Sequence, residues 1–241
     1  QELPDPITRI SWDNYLTVSP KDAEKLGLDN DLNARMQLDG SLVNLTVNGI
    51  TIKDVPVFVQ PGQAEGSMGL ALGYRKKDSG KVAETGVNAY PLFDGSNSVL
   101  SNVKIEKTGG DHEFAGMQLQ NTLMGRYDIA REVPLDTFLN VKFDDEKLGW
   151  NKPLEYHTIG GALPAGKVNL WDSFDDTDGP HFNLSVDLNS CTGCGACIIA
   201  CQAENNVPVV GKEEVRMSRD MYWLRIDRYY STNVPAEIDT N

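Results

Sequence analysis

Apolar and polar residues alternate most clearly between positions 42 and 59. Val43, Leu45 and Val47 stand against Leu42, Asn44 and Thr46, the period of two that marks a half-buried strand. Asn48-Gly49, the dipeptide favoured in two-residue hairpins, follows and leads into Ile50-Thr51-Ile52. Val55-Pro56-Val57-Phe58-Val59 predicts another strand that starts at a sheet edge, because Pro56 has no N–H for a ladder, and Pro61-Gly62 stops it. Upstream, Ser19 stands at a helix N-cap, Pro20 at the first helical position, Asp22 in the capping-box place and Gly27 just past the end. These signals predict a helix of about two turns. Before it, Pro4 and Pro6 make residues 1 to 10 an irregular lead-in.

Weaker patterns follow. The run from Gly66 to Gly73 is short, apolar and rich in glycine, and the stretches Gly86 to Leu92 and Val99 to Lys107 are expected to contribute strands that finish a small barrel. From 111 to 180 the chain reads as a linker, acidic and punctuated by Gly and Pro, with Asp175 to Pro180 as a solvated turn. That turn lacks the ligand register and terminal Glu of a calcium loop. Alternation returns at Phe182, Leu184, Val186 and Leu188, predicting a strand, and again over Met221 to Tyr230, with Tyr222, Leu224 and Ile226 on one face. The fold class is therefore mainly β with short helices (α+β): residues 1–110 a barrel-like domain, 111–180 an extension, and 181–241 a second, smaller domain.

Composition narrows the function. A hydrophobic content of 40% in 241 residues supports packed cores, and no run approaches the roughly 18 apolar residues of a membrane-spanning helix. The net charge of −13 argues against nucleic acid or anionic lipid as a direct partner and suits a basic protein partner such as a c-type cytochrome. Residues 91 to 190 hold 16 acids against 8 bases, so the excess lies in the middle. His112, His157 and His181 stand apart from one another and from any cysteine, which favours packing or surface roles. Without G-x-S-x-G, H-E-x-x-H or P-loop patterns, hydrolysis and phosphoryl transfer have no support.

All four cysteines fall in one run, Cys191-Thr-Gly-Cys194-Gly-Ala-Cys197-Ile-Ile-Ala-Cys201. The spacing C-x2-C-x2-C-x3-C is the one bacterial ferredoxins use to hold iron–sulfur clusters, with the fourth cysteine reaching the other cluster in two-cluster proteins. Gly193, Gly195 and Ala196 let the backbone close around a cubane, and the longer step to Cys201 predicts a helical turn. Ile198, Ile199 and Ala200 would form an apolar wall. Zinc remains an alternative, although zinc sites usually join two distant pairs. A disulfide framework within one tight loop and a thioredoxin-like C-x-x-C fit less well. Three thiolates leave a cluster one ligand short, and no cysteine follows Cys201. The missing ligands are expected from a longer parent chain or a partner.

Two resemblances follow from these residues. The segment from Asn14 to Arg75, with SPKDAEKLGL and VPVFVQPGQAEGSMGLALGYRK, resembles the C-terminal dinucleotide-binding domain of the molybdopterin oxidoreductases, a double-psi β-barrel. The Val-Asp-Leu-Asn before the cysteines, CQAENNVPVVGK from Cys201 onward and MYWLRIDRYY resemble the large iron–sulfur subunit of alternative complex III, a bacterial quinol oxidoreductase. There a molybdopterin-oxidoreductase-like half is fused ahead of a polyferredoxin half, so 181–241 would begin a ferredoxin-like 4Fe-4S domain. Polysulfide-reductase-type subunits share only the second half. The resemblance implies that Cys191, Cys194, Cys197 and Cys201 hold [4Fe-4S] clusters, with a [3Fe-4S] cluster possible in the parent and no molybdopterin. It implies a part that transfers electrons and does no bond chemistry itself. Its partners would be integral-membrane quinol-binding subunits, c-type cytochrome subunits and a terminal oxidase. Its place would be the periplasmic side of the bacterial inner membrane. One departure is Gln202, where a proline commonly follows the fourth cysteine. A fragment of a catalytic molybdopterin oxidoreductase and a structural zinc scaffold stay open as alternatives.

Overall fold

In the computed structural model, residues 2–76, 85–93, 95–96, 98–124, 131–141, 155–171, 174 and 177–231 are described. The chain divides into two compact units, Gln1–Thr122 with Thr192–Tyr230, and Leu123–Cys191 with Ser231–Asn241. Among the described residues the chain is mainly β with few, short helices.

The first unit is built on β4 (Leu38–Val47) and β5 (Ile50–Val59), joined through Asn48 and Gly49, both at positive φ. The alternation of the sequence is obeyed: Val43, Leu45 and Val47 are buried at 0, 2 and 3% exposure. β5 is one ten-residue strand, not two pieces, with the register shift opposite it between Val43 and Leu45 and Asp54 at φ 53 absorbing the irregularity. It is also an interior strand. β4 lies on one side and β2 (Leu16–Val18) runs parallel on the other, from Val57 onward. Pro56 is fully buried where the β2 ladder begins, so its missing N–H costs no pairing there.

Around this pair β3 (Asn30–Leu32) joins the start of β4, and β6 (Met68–Leu70) pairs antiparallel with β2. β7 (Val103–Glu113) runs along β4 from Asp39 to Val47. The order β3-β4-β5-β2-β6, with β7 on β4, does not close into a barrel among the described residues. β1 (Ile10–Ser11) pairs separately with β8 (Ala115–Gly116). Gly86 to Leu92 forms no strand. It is a loop held by the buried Asn14, whose amide donates to the Ala71 and Val87 carbonyls at 2.8 and 3.1 Å and whose oxygen accepts from Val87 N–H at 2.7 Å.

Val43, Val55, Val57, Leu16 and Val18 make the main core, and Tyr15, Phe58 and Phe114 a second one, with Phe114 edge-on to both partners at 5.7 and 6.3 Å. Gly40 is needed between them. A Cβ there would lie 2.6 Å from the Phe114 ring and 2.9 Å from the Val57 carbonyl oxygen.

Helix α1 (Pro20–Leu26) matches its sequence signals. The Ser19 hydroxyl accepts from Asp22 N–H at 3.1 Å and donates to the Asp22 carboxylate at 2.7 Å, and Gly27 closes the helix at φ 63. The hydroxyl, then the Gly66 N–H, hold the Asp22 carboxyl below the usual range. Ser19→Ala should lower stability by about 1 kcal/mol, read by urea denaturation. A depressed carboxyl stabilises the fold above its unfolded pKa, so this contribution should fade as pH falls through the acidic range.

The second unit carries α2 (Leu135–Asn140) and the hairpin β9 (Glu155–Thr158) to β10 (Gly161–Pro164). The strand expected at Phe182 to Leu188 is not formed, and these apolar residues are 54 to 96% exposed. Alternation makes a segment able to be a strand, but among the described residues no neighbour supplies its ladder. Asp175 and Asp176 of the expected turn lie outside the described residues.

Candidate iron–sulfur site

Asp187 shapes the approach to the first cysteine. Its carboxylate accepts from Asn189 N–H at 2.9 Å and the Ser190 hydroxyl at 2.8 Å, and its carbonyl from Cys191 N–H at 3.0 Å. The Ser190 hydroxyl, then the Asn189 N–H, hold this carboxyl below its ordinary range.

In the first unit, Gly193 and Gly195 both take left-handed backbone, at φ 70 and 75, and turn the chain around Cys194. L-residues adopt that conformation only with strain, so these two glycines are what the loop requires. From Gly195 the chain enters α3 (Ala196–Glu204), longer than the single turn expected. Cys197 and Cys201, four residues apart, share one face of it.

The thiols of Cys191, Cys194 and Cys197 are exposed, that of Cys201 is half-buried, and all four are free. Of the expected apolar wall, Ile198 is buried at 4% but Ile199 is 49% exposed. Successive residues on a helix point about 100° apart, so three in a row cannot face one side.

Asn205 was not foreseen. Its amide donates to the Cys201 carbonyl at 3.0 Å and reaches the Cys201 sulfur at 3.6 Å. An Asn four residues beyond a helical cysteine, at the C-cap, is the signal that points to it. Hydrogen bonds to sulfur are one of the levers on cluster potential.

After α3, the expected strand over Met221 to Tyr230 is replaced by an extended segment with one bridge, Tyr230 to Thr122. Side chains anchor it instead. Arg225 donates to the Met117 carbonyl at 2.7 Å, the Tyr230 hydroxyl accepts from Gln60 at 2.7 Å, and the Tyr222 hydroxyl donates to the Glu2 carbonyl at 2.8 Å. Tyr222 also meets the Gln202 side chain, and burial pushes its phenol pKa up. Trp223 is 66% exposed.

α4 (Lys212–Arg216) locks the same segment to the sheet. Lys212 Nζ lies 2.6 Å from the buried Asp13 carboxylate, which His112 also meets at 2.6 Å. His112 thus has a structural role. Arg216 donates to the Leu38 and Phe114 carbonyls at 2.8 and 2.9 Å and to Asp39 at 2.8 Å.

Among the described residues no group of three or more His, Cys, Asp or Glu side chains is arranged to hold a metal ion. The donor set nonetheless fits a cluster: four free thiols, a loop bent by two left-handed glycines and a helix presenting two thiols on one face. Binding such a group couples to ordering its ligands.

The 4Fe-4S binding domain family matches residues 184–204, a stretch that contains every cysteine of the chain. Over 26 residues, 62% are identical to the iron–sulfur cluster-binding subunit of menaquinone reductase from Nitratidesulfovibrio vulgaris. Over 25 residues, 48% are identical to the iron–sulfur subunit ArrB of arsenate respiratory reductase from Chrysiogenes arsenatis. The chain thus carries a 4Fe-4S binding segment and is similar, over short stretches, to iron–sulfur subunits of respiratory reductases. The menaquinone reductase match covers 11% of this chain and 10% of that subunit, and the ArrB match 10% of this chain and 83% of that sequence. The likeness of this chain to each relative is thus confined to about a tenth of its length.

Proposed function

We propose that this chain is the iron–sulfur subunit of a membrane-associated quinol oxidoreductase of the alternative complex III type. It would pass electrons from quinol through its clusters toward haem c and a terminal oxidase. The observation that carries the reading is the C-x2-C-x2-C-x3-C run, matched as a 4Fe-4S domain, three of whose cysteines, Cys194, Cys197 and Cys201, belong to the unit built on the β4–β5 sheet. Cys191, Cys194 and Cys197 hold one [4Fe-4S] cluster, and Cys201 reaches a second whose other ligands come from elsewhere in the parent. A bound cluster takes up and releases one electron at a time, at a potential set by its surroundings.

The residues of this chain do the positioning. Gly193 and Gly195 bend the loop, α3 sets Cys197 and Cys201 one turn apart, Asn205 donates toward the Cys201 sulfur, and Ile198 keeps water from the back of the helix. The sheet unit corresponds in this reading to the double-psi half of molybdopterin oxidoreductases and holds no molybdopterin. The net charge of −13 over the chain suits a basic c-type cytochrome subunit. No helix among the described residues is long and apolar enough to cross a membrane; attachment would come through integral-membrane quinol-binding subunits, on the periplasmic side.

Metal analysis and EPR of the purified parent complex, before and after dithionite, test this. Iron and sulfide with reduced-cluster signals and no molybdenum are expected. One molybdenum per complex would instead make the sheet unit part of a catalytic molybdopterin oxidoreductase, and stoichiometric zinc without iron would leave a structural scaffold.

A further inference from the structure

Ile198, the buried residue of α3, enters a narrow crevice lined by Pro4, Arg9, Met117, Tyr222, Leu224 and Arg225. Arg9 stands out among them. Its side chain is only 5% exposed and its nearest carboxylate oxygen, on Asp227, is 3.8 Å away. Asp227 is shared with Arg225 at 3.2 Å. The Arg9 Nε–H has no acceptor, and its backbone sits at φ 60, a conformation that costs an L-residue. Burial first of all, and then the neighbouring Arg225 and Arg228, push the guanidinium pKa down, while Asp227 and Asp5 oppose them. The group stays charged all the same.

Arg225 is also met by Asp220 at 3.6 Å, so the three guanidinium groups of Arg9, Arg225 and Arg228 stand near three carboxylates, and Arg9 itself meets Asp227, which it shares, at 3.8 Å. A buried, under-paired cation on strained backbone is a poor device for stability, since an apolar side chain of similar size would fill the crevice without desolvating a charge.

We infer that Arg9 is a tuning residue that raises the reduction potential of the cluster held by the loop in front of α3. This rests on the iron–sulfur reading above. Reduction adds one electron to the cluster, and a cation fixed in a low-dielectric wall favours the form with the added negative charge. Across roughly one helix diameter at an intermediate effective dielectric, a unit charge shifts the equilibrium by about tenfold. For one electron that is about 59 mV.

The test is an EPR-monitored redox titration of the full complex, with iron and sulfide measured on the same samples. The signal belonging to this loop is identified by its loss in Cys194→Ser. Arg9→Gln should lower the midpoint by that amount, Arg9→Lys should keep it near wild type, and Asp227→Asn, which relieves the cation of its partner, should raise it. Equal midpoints in cluster-loaded Arg9→Gln and Asp227→Asn would overturn the inference and leave the cluster reading intact. If Arg9→Gln fails to load a cluster, the Asp227→Asn midpoint decides. A wild-type complex without iron would overturn both.

Discussion

Cys197→Ala should abolish the loop's cluster, removing its iron and its reduced-state EPR signal, while the sheet unit keeps its fold. Cys197 stands in the first turn of α3, exposed, beside the buried Ile198 and one turn before Cys201. No other cysteine, and no group of three or more His, Cys, Asp or Glu side chains among the described residues, is placed to replace it. The strand core around Val43, Val55 and Val57 contains no residue of the loop. Denaturant unfolding followed by a sheet probe should therefore stay within about 0.5 kcal/mol of wild type, as for other exposed positions. The contrast has a physical basis. The glycines and α3 give the loop its course, and a bound cluster would order the thiolates that hold it. A cluster signal retained at wild-type intensity would remove Cys197 from the ligand set.

How much of this was legible in the sequence depends on the range of the signal. The hairpin through Asn48-Gly49 and the helix from Pro20 to Leu26 are local devices, each written in a few consecutive residues, and both appear where expected. The cysteine run is local too, and its spacing alone pointed to the chemistry of the matched family. What failed needed a partner. The alternation at Phe182 to Leu188 and at Met221 to Tyr230 promised two strands, yet a strand exists only where another backbone completes its hydrogen bonds, and sequence does not say which one. β7 was expected at Val99 to Lys107, and pairing with β4 extended it to Glu113. Pro56, by contrast, read true at its own position: its missing N–H suggested that the strand starts at an edge, and β5 gains its second neighbour only from Val57. Arg9, Asn205 and Arg216 left no periodic trace, because their roles come from residues that chain folding brings beside them.

Arg216→Ala should lower the stability of the first unit by about 3 kcal/mol, a large part of a typical domain's total. The side chain is 6% exposed and serves as the common donor to two backbone carbonyls and one carboxylate. Leu38 keeps one partner for its carbonyl, since Phe114 N–H also donates to it at 3.0 Å. The Phe114 carbonyl and the Asp39 carboxylate lose a charged donor, and Asp39, 24% exposed at the side chain, regains part of that from water. That partial rehydration is why the estimate stays at the low end of the range for breaking a buried charged network. Alanine would also remove the fork that holds α4. Five residues cannot remain helical without tertiary contacts, so Val215, 4% exposed against Ala115 and Met117, should lose its packing in the same event. Arg216→Lys keeps the charge but not the planar, multi-donor geometry, and should fall between the two. Urea denaturation followed by circular dichroism gives the energy, and amide exchange over residues 212–216 gives the location. A loss below about 1 kcal/mol, with α4 amides still protected, would mean that Lys212 on Asp13 and the packing of Val215 hold the segment unaided.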